Sequence, residues 1–181
     1  GLGFDTADYS ASTGAIQLTL DGSVGIGGDA AGDHVLNVEH LIGSQFSDVI
    51  IGVGADEVIE GGGGADMLSG GSGADILSGD DGDDTLGGGA GADMLSGGAG
   101  FDTADYSTSA SGVTIGLDGS VGAGGDAAGD TLNGIEAITG SAFDDMLTGG
   151  NAADTLVGGA GNDHLDGGAN ADTLIGGSGD D

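Results

Sequence analysis

Ten aspartates recur on a nine-residue step: Asp66, Asp75, Asp84, Asp93 and Asp102, then Asp145, Asp154, Asp163, Asp172 and Asp181. Most close a glycine-rich loop, as in GGGGAD at 61–66, GGSGAD at 70–75, GDDGDD at 79–84 and GGAGAD at 88–93. A solvated acidic surface would not keep a carboxylate on one step so many times. Glycine at positions one, two and four of each repeat permits φ > 0 and leaves carbonyls unshielded. Carboxylates beside bare carbonyls form an all-oxygen donor set. That suits a hard divalent cation such as Ca²⁺, which takes about six to eight oxygens at roughly 2.3–2.6 Å.

The elements that must position these loops follow from position eight. It holds Ile50, Ile59, Leu68, Leu77, Leu86, Leu95, Leu147, Leu156, Leu165 and Leu174, all branched aliphatics. In a short x-aliphatic-x strand the middle side chain points to one face and its neighbours to the other. Stacked coils would turn position eight into a continuous apolar ladder. If a coil takes two nonapeptides, loops 18 residues apart share an edge. Asp66 then stacks with Asp84 and Asp84 with Asp102; Asp75 stacks with Asp93. In the second array Asp145, Asp163 and Asp181 share one edge, and Asp154 stacks with Asp172. An ion between stacked loops gives at least six sites, with Asp48 above Asp66 adding another.

Two arrays are present, stepping from Gly43 to Gly97 and from Gly140 to Gly176. Above them lies a longer period. GFDTADYS at 3–10 returns at 100–107, and LDGSVGIGGDAAGD at 20–33 returns as LDGSVGAGGDAAGD at 117–130. The organisation expected is a divergent β-solenoid segment at 1–42, array one at 43–99, a second divergent segment at 100–139 and array two at 140–181. Ala15–Leu20 and Val113–Leu117 alternate as strands do. Leu132, Ile135 and Ile138 have helical spacing, but the surrounding glycines favour strand. Gly1-Leu2-Gly3 reads as the tail of a loop and GGSGDD at 176–181 stops at its Asp, as expected of an excerpt from a longer repetitive chain.

Composition sets the boundary conditions. The 181 residues include 31 acidic side chains, no Lys or Arg, 46 Gly, and neither Pro nor Cys. About 10 coils at ~4.8 Å each make a rod near ~50 Å, with more than one negative charge per ~2 Å, comparable to duplex DNA. No internal cation offsets that charge, so a compact apo form repels itself. Nucleic acid and anionic membranes are excluded as partners by sign. No apolar run approaches the ~18 residues of a membrane span, and no basic-then-apolar leader is visible. Absence of Cys says nothing about compartment.

Four consecutive near-perfect repeats resemble the RTX (repeats-in-toxin) family, and the likeness extends over nearly the whole chain. The resemblance implies an all-β fold, a right-handed parallel β-roll or β-helix, with calcium between successive loops. It also implies export through a one-step secretion system and folding in calcium-rich extracellular surroundings. The divergent units resemble those of large bacterial RTX surface proteins and adhesins.

Departures from the pattern bear on the sites. GVGADEVIE at 52–60 moves its Asp to position five, Asp56, leaving Glu57 at position six. Position four is Ala152 in one repeat and Asn170 in another, and Ala104 falls where an aliphatic is expected, so the roll should narrow there. Asp21, Asp29 and Asp33, with their copies Asp118, Asp126 and Asp130, lie either in a further calcium loop or in a turn. His34, His40 and His164 have no matching His in the other unit, which favours surface residues over zinc ligands. Tyr9 and Tyr106 are expected to cover a coil edge. No HExxH, GxSxG or oxyanion-binding cation is present, and no enzyme is expected.

The function expected is a calcium-rigidified rod, fibre or adhesin spacer of a secreted or cell-surface protein. Neighbouring copies stacked head to tail are a further partner. The alternative is an accessory secretion and folding domain of an RTX protease, lipase, epimerase or toxin. A carbohydrate-binding module is disfavoured by the scarcity of aromatics and the absence of cationic side chains.

Overall fold

The computed structural model describes residues 3–181. Among them there is no α-helix; the regular structure is 19 short strands and two single-turn 3₁₀ helices. Glycine frequency explains the first fact, since each glycine weakens a helix interior by about 1 kcal/mol relative to alanine. The periodic position-eight aliphatic explains the second, because a strand of three to six residues needs only one inward side chain per coil.

The strands stack into parallel sheets. One sheet of six runs Thr6–Asp8, His40–Ile42, Val58–Gly63, Ile76–Asp81, Met94–Ala99, Thr131–Asn133. A sheet of eight runs Gln17–Thr19, Val49–Ile51, Met67–Ser72, Thr85–Ala90, Thr103–Asp105, Ala137–Thr139, Thr155–Ala160, Thr173–Ser178. A third joins Thr114–Gly116, Met146–Thr148 and His164–Asp166. Within the arrays Leu68 pairs with Leu86, Ile59 with Leu77, Leu77 with Leu95 and Leu147 with Leu165. The coil is therefore two nonapeptides, and the architecture is the β-roll solenoid expected of the repeat.

The divergent segments are enlarged coils. Leu95 pairs across the insert with Leu132, Ala104 with Ile138 and Ile115 with Leu147. Leu132 and Ile138 lie in two separate strands, Thr131–Asn133 and Ala137–Thr139, rather than in a helix. GGDAAGD forms a 3₁₀ turn in both copies, Gly28–Ala30 and Gly125–Ala127. In the first insert Asp21–Val24 and His34–Leu36 also pair antiparallel. The second insert ends the six-stranded sheet at Thr131–Asn133 and founds the three-stranded one at Thr114–Gly116, while the eight-stranded sheet passes through. At Ala104 that sheet continues unbroken, with Leu86 on one side and Ile138 on the other.

Position eight is the core. Ile50, Ile59, Leu68, Leu77, Leu86, Leu95, Leu147 and Leu156 are buried, joined by Ile16, Leu18, Val113 and Ile115 from the inserts. Leu174, in the last strand of the eight-stranded sheet, is 47 % exposed. Leu77 sits between Ile59 and Leu95, so Leu77→Asp removes packing worth about 2–5 kcal/mol and forces a carboxylate into an apolar stack. This variant should lack the β signature in far-UV circular dichroism even in excess Ca²⁺, whereas Leu174→Asp should keep it.

Candidate metal centre

The loops are held by side-chain ladders of two opposite directions, one at position six and one at those position-five sites with a polar side chain. At position six, the backbone N–H of one Asp donates to the Oδ1 of the Asp 18 residues later. Asp48 N–H reaches Asp66 (2.7 Å), Asp66 reaches Asp84 (2.7 Å) and Asp84 reaches Asp102 (2.8 Å). On the opposite edge Glu57 N–H reaches Asp75 (2.8 Å) and Asp75 reaches Asp93 (2.9 Å). In the second array the pairs are Asp145 to Asp163 (2.9 Å), Asp154 to Asp172 (3.0 Å) and Asp163 to Asp181 (3.1 Å). The stacking expected from the 18-residue coil is the stacking found.

Position five carries the return ladder. Side chains of Ser47, Asp56, Asp83, Asp144 and Asn162 accept the N–H of Ala65, Ala74, Phe101, Asn162 and Asp180 one coil on, at 2.8–3.0 Å. The sequence marks this position only as variable, so Asp56 and Asp83 stand out only once the coils are stacked.

The second carboxylate oxygen divides the candidate ligands. Oδ2 of Asp66, Asp75, Asp84, Asp93, Asp102 and Asp163, and Oε2 of Glu57, are buried and have no hydrogen-bond partner. In the aspartate loops the oxygen lies where a side chain at the position-one glycine would be; a Cβ on Gly61, Gly70, Gly79 or Gly88 would overlap it. Backbone carbonyls crowd the same loops. A Cβ at Gly82 would meet Gly64 O, and one at Gly91 would meet Gly73 O. Both glycines have positive φ, 146° and 157°. Among the described residues no three His, Cys, Asp or Glu side chains converge, so a cation here must draw on carbonyl oxygens as well. Buried, unpartnered carboxylate oxygens beside stacked carbonyls fit a hard oxygen-seeking ion.

Three predicted ligands differ. Asp48 Oδ2 accepts Ser44 N–H (2.6 Å) and its Oδ1 accepts the Ser44 hydroxyl (2.8 Å). Asp145 repeats this with Ser141 at the same distances. Asp154 Oδ2 accepts Gly150 N–H (2.6 Å), in the repeat where Ala152 replaces the position-four glycine. Ala152 does not adopt positive φ, whereas Asn170, the other substitute, does at 77°. In these three loops the backbone already occupies the oxygen that is open elsewhere. Asp172 and Asp181 stand in the last coil, with Oδ1 engaged as above. Glu57 takes the position-six place left by Asp56, its Oε1 accepting Ala55 N–H (3.2 Å).

The inserts supply carboxylates that the nine-residue step does not reveal. Asp130 Oδ1 accepts Asp93 N–H (2.9 Å) from 37 residues earlier, and its Oδ2 accepts the Tyr106 hydroxyl (2.9 Å). Glu136 Oε2 accepts Asp102 N–H (2.9 Å), as Glu39 accepts Asp5 N–H (2.9 Å). Both acids recur in the two units, and that duplication was the available signal. Tyr106 is buried in the core cluster, where its hydroxyl clamps Asp130. His34 and His164 are exposed, whereas His40 is half-buried; His34 Nδ1 lies 2.7 Å from Gly22 O and His40 Nε2 lies 3.0 Å from Glu60 Oε1.

Burial is what dominates the electrostatics. It raises the carboxyls of Asp75, Asp84, Asp93, Asp102, Asp163 and Glu57, with neighbouring carboxylates adding to the effect and backbone N–H donors opposing it. Asp66 is pushed up to about 7 and Asp130 to about 6, in both cases chiefly by burial. Burial, then Asp130, also raises the Tyr106 phenol. The exposed Asp8, Asp21 and Asp118 shift downward through hydrogen bonds from Ser10, Ser23 and Ser120, but sit in full solvent.

These directions fix a pH dependence. Between the unfolded carboxylate pKa of about 3.9 and the raised folded values, the roll binds more protons than the unfolded chain. Stability of the metal-free roll therefore falls as pH rises through about 4 to 7. With chelator present, β content should be higher at pH 4.5 than at pH 7.5; circular dichroism at constant ionic strength checks this. Ca²⁺ should restore it at pH 7.5 and have less effect at pH 4.5, where Asp66 holds a proton. Among variants, Asp84→Ala should weaken calcium binding, measured by calorimetry, more than Asp56→Ala or Asp145→Ala. Asp84 has an open oxygen and also holds the Asp66 N–H; the carboxylate oxygens of Asp145 are already satisfied by Ser141.

Comparison with known families agrees with this geometry. The family model of the RTX calcium-binding nonapeptide repeat matches residues 38–68, 51–86, 69–104, 124–163 and 148–181. Comparison with curated proteins gives no match. The matched segments take in both arrays and well over half the chain, and their repeats fold into the stacked parallel strands and open-carboxylate loops described above. The chain belongs to the RTX calcium-binding nonapeptide repeat family.

Proposed function

We propose that this chain is a calcium-rigidified structural segment of a secreted or cell-surface protein, serving as a rod, fibre or adhesin spacer. The observation that carries the proposal is the row of buried carboxylate oxygens without partners in a chain that has no Lys or Arg. At least six Ca²⁺ ions are proposed. Asp66, Asp75, Asp84, Asp93, Asp102 and Asp163 offer the open oxygens; Asp172 and Asp181 extend the ligand set, whereas Asp48, Asp145 and Asp154, expected as ligands from their step, are closed by Ser44, Ser141 and Gly150. Bound calcium would neutralise the ladders and tie successive coils together.

A spacer segment is favoured over an accessory folding domain by the eight-stranded sheet, which includes strands from both long units. Repetition of this kind extends length without adding chemistry. No catalytic role is proposed: the buried acids point into loop backbones rather than into a shared cleft. No described helix is long and apolar enough to cross a membrane. Extracellular placement fits RTX repeats, which occur in secreted bacterial proteins, and neighbouring copies stacked head to tail would lengthen the same rod.

The test is a far-UV circular dichroism titration with Ca²⁺, Mg²⁺ as control and chelator for reversal. A cooperative coil-to-β transition at roughly 10⁻⁴–10⁻³ M, the range of extracellular calcium modules, is the expected result. A fold indifferent to calcium at neutral pH would overturn the proposal.

A further inference from the structure

One buried carboxylate departs from the loop pattern of the others. Glu57 is 3 % exposed, and its Oε2 has no hydrogen-bond partner. In the aspartate loops the open oxygen overlaps the place of a position-one Cβ, whereas a Cβ on Gly52 would stand 3.1 Å from Glu57 Oε2. The position-six ladder is also interrupted here. Glu39, the matching acid of the neighbouring coil, donates its N–H to Asp5 O (3.2 Å) rather than to Glu57.

Glu57 borders a cavity of about 290 Å³ between these two coils. Leu20, Leu36, Val38 and Val53 form its apolar wall, and Glu39 and Asp21 add acid at its edge. Asp21 and Leu36 are held opposite each other by the antiparallel pair of the first insert. The cavity lies between that insert and the array that follows, where His40–Ile42 pairs with Val58–Glu60, so neither end of the chain forms it. Leu36 is 56 % exposed, and its counterpart Asn133 is exposed too although Met94–Ser96 pairs with that strand. The same place in the second unit has different chemistry. Leu36, Val53 and Glu57 are matched there by Asn133, Gly150 and Asp154, and Gly150 N–H closes Asp154 Oδ2 (2.6 Å). In the first unit Val53 stands at position two and the Glu57 oxygen stays open.

The geometry points to this cavity as a binding site for a primary alkylammonium ion, a free amine or a lysine side chain, with Glu57 as its counter-ion. A bare divalent cation needs about six or more oxygens and gains nothing from four aliphatic walls. An alkylammonium ion uses both parts of the site. Its N–H groups donate to the Glu57 carboxylate, and its methylenes lie against the Leu and Val side chains. An apolar wall with one well-placed charged group is the usual make-up of a small-ligand pocket. No Lys or Arg of the chain itself can fill the place. Burial raises the Glu57 carboxyl, and a bound cation offsets that cost. Glu57 thereby stands outside the calcium ladder and serves a second kind of cation.

The experiment is calorimetric titration of the whole chain with butylammonium in saturating Ca²⁺ at pH 7.5, once circular dichroism has shown the β-roll. One saturable site should appear. Glu57→Gln should weaken it about tenfold or more, the effect of losing a charged hydrogen-bond partner. Val53→Gly, which installs the residue of the second unit, should weaken it as well. Asp118→Asn, the counterpart of Asp21 in the second unit, should leave it unchanged. Tetramethylammonium carries the same charge without an N–H and should bind more weakly than butylammonium. N-acetyl-lysine amide separates the two sources: binding like that of butylammonium assigns a lysine side chain, and its exclusion assigns a free amine. No saturable binding by the folded chain, or unaltered binding by Glu57→Gln, overturns this inference. Calcium-induced folding is read separately by circular dichroism, so that failure leaves the proposed function standing.

Discussion

Everything in this molecule is arranged around buried carboxylates that no side chain of the chain can neutralise. Thirty-one acidic groups face no Lys or Arg, and the most regular of them are inside. Asp66 lies between the charges of Asp48 and Asp84 and is held by a single amide on one oxygen. A buried carboxylate is tolerated only when paired, protonated or metal-bound. The first option is closed by composition. The remaining two compete for the same oxygens, which makes protons and divalent cations alternative ligands of one fold.

The hydrogen-bond ladders explain why the aspartates stay buried despite that cost. Oδ1 at position six reaches back one coil, and the side chain at position five accepts from the coil ahead. Two neighbouring coils are thus fastened in both directions outside the strands. Strands of three to six residues carry few backbone bonds each, and one apolar side chain per turn gives a thin core. The loops must hold much of the inter-coil connection, and the carboxylate is the group that makes it. Glycine at position one is required because the Asp Oδ2 occupies the space of its missing Cβ.

How much of this was legible in the sequence depends on range. The nine-residue step, the inward position eight and the 18-residue coil are local and periodic, so Leu68, Leu86 and their aspartates could be placed directly. The open and closed carboxylates could not be told apart by step alone. Ser44 and Ser141 close the Asp48 and Asp145 loops from position two, where the pattern expects glycine; the substitution was visible, its consequence was not. Asp130 and Glu136 lie off the step altogether, with partners 37 and 34 residues away. Their signal was the duplication of GGDAAGD and of the following acid, which left calcium loop and turn equally open. The structure makes the segment a 3₁₀ turn whose last Asp caps the preceding ladder.

That cap explains the architecture of the junction. At the second insert one face of the roll stops at Thr131–Asn133 and a new stack begins at Thr114–Gly116, so only the strands Thr103–Asp105 and Ala137–Thr139 carry a sheet across. A junction resting on two three-residue strands would be the weakest point of a rod. Asp130, fixed by the buried Tyr106, and Glu136 continue the position-six ladders over the same gap, one on each edge. The insert therefore replaces lost sheet with side-chain hydrogen bonds at the place where sheet is thinnest. A phenol does this better than another carboxylate could: it donates to Asp130 Oδ2, leaves no oxygen open and adds no charge. The junction thus closes the ladder where Asp130 meets Asp93, while the first array and Asp163 of the second keep an oxygen open.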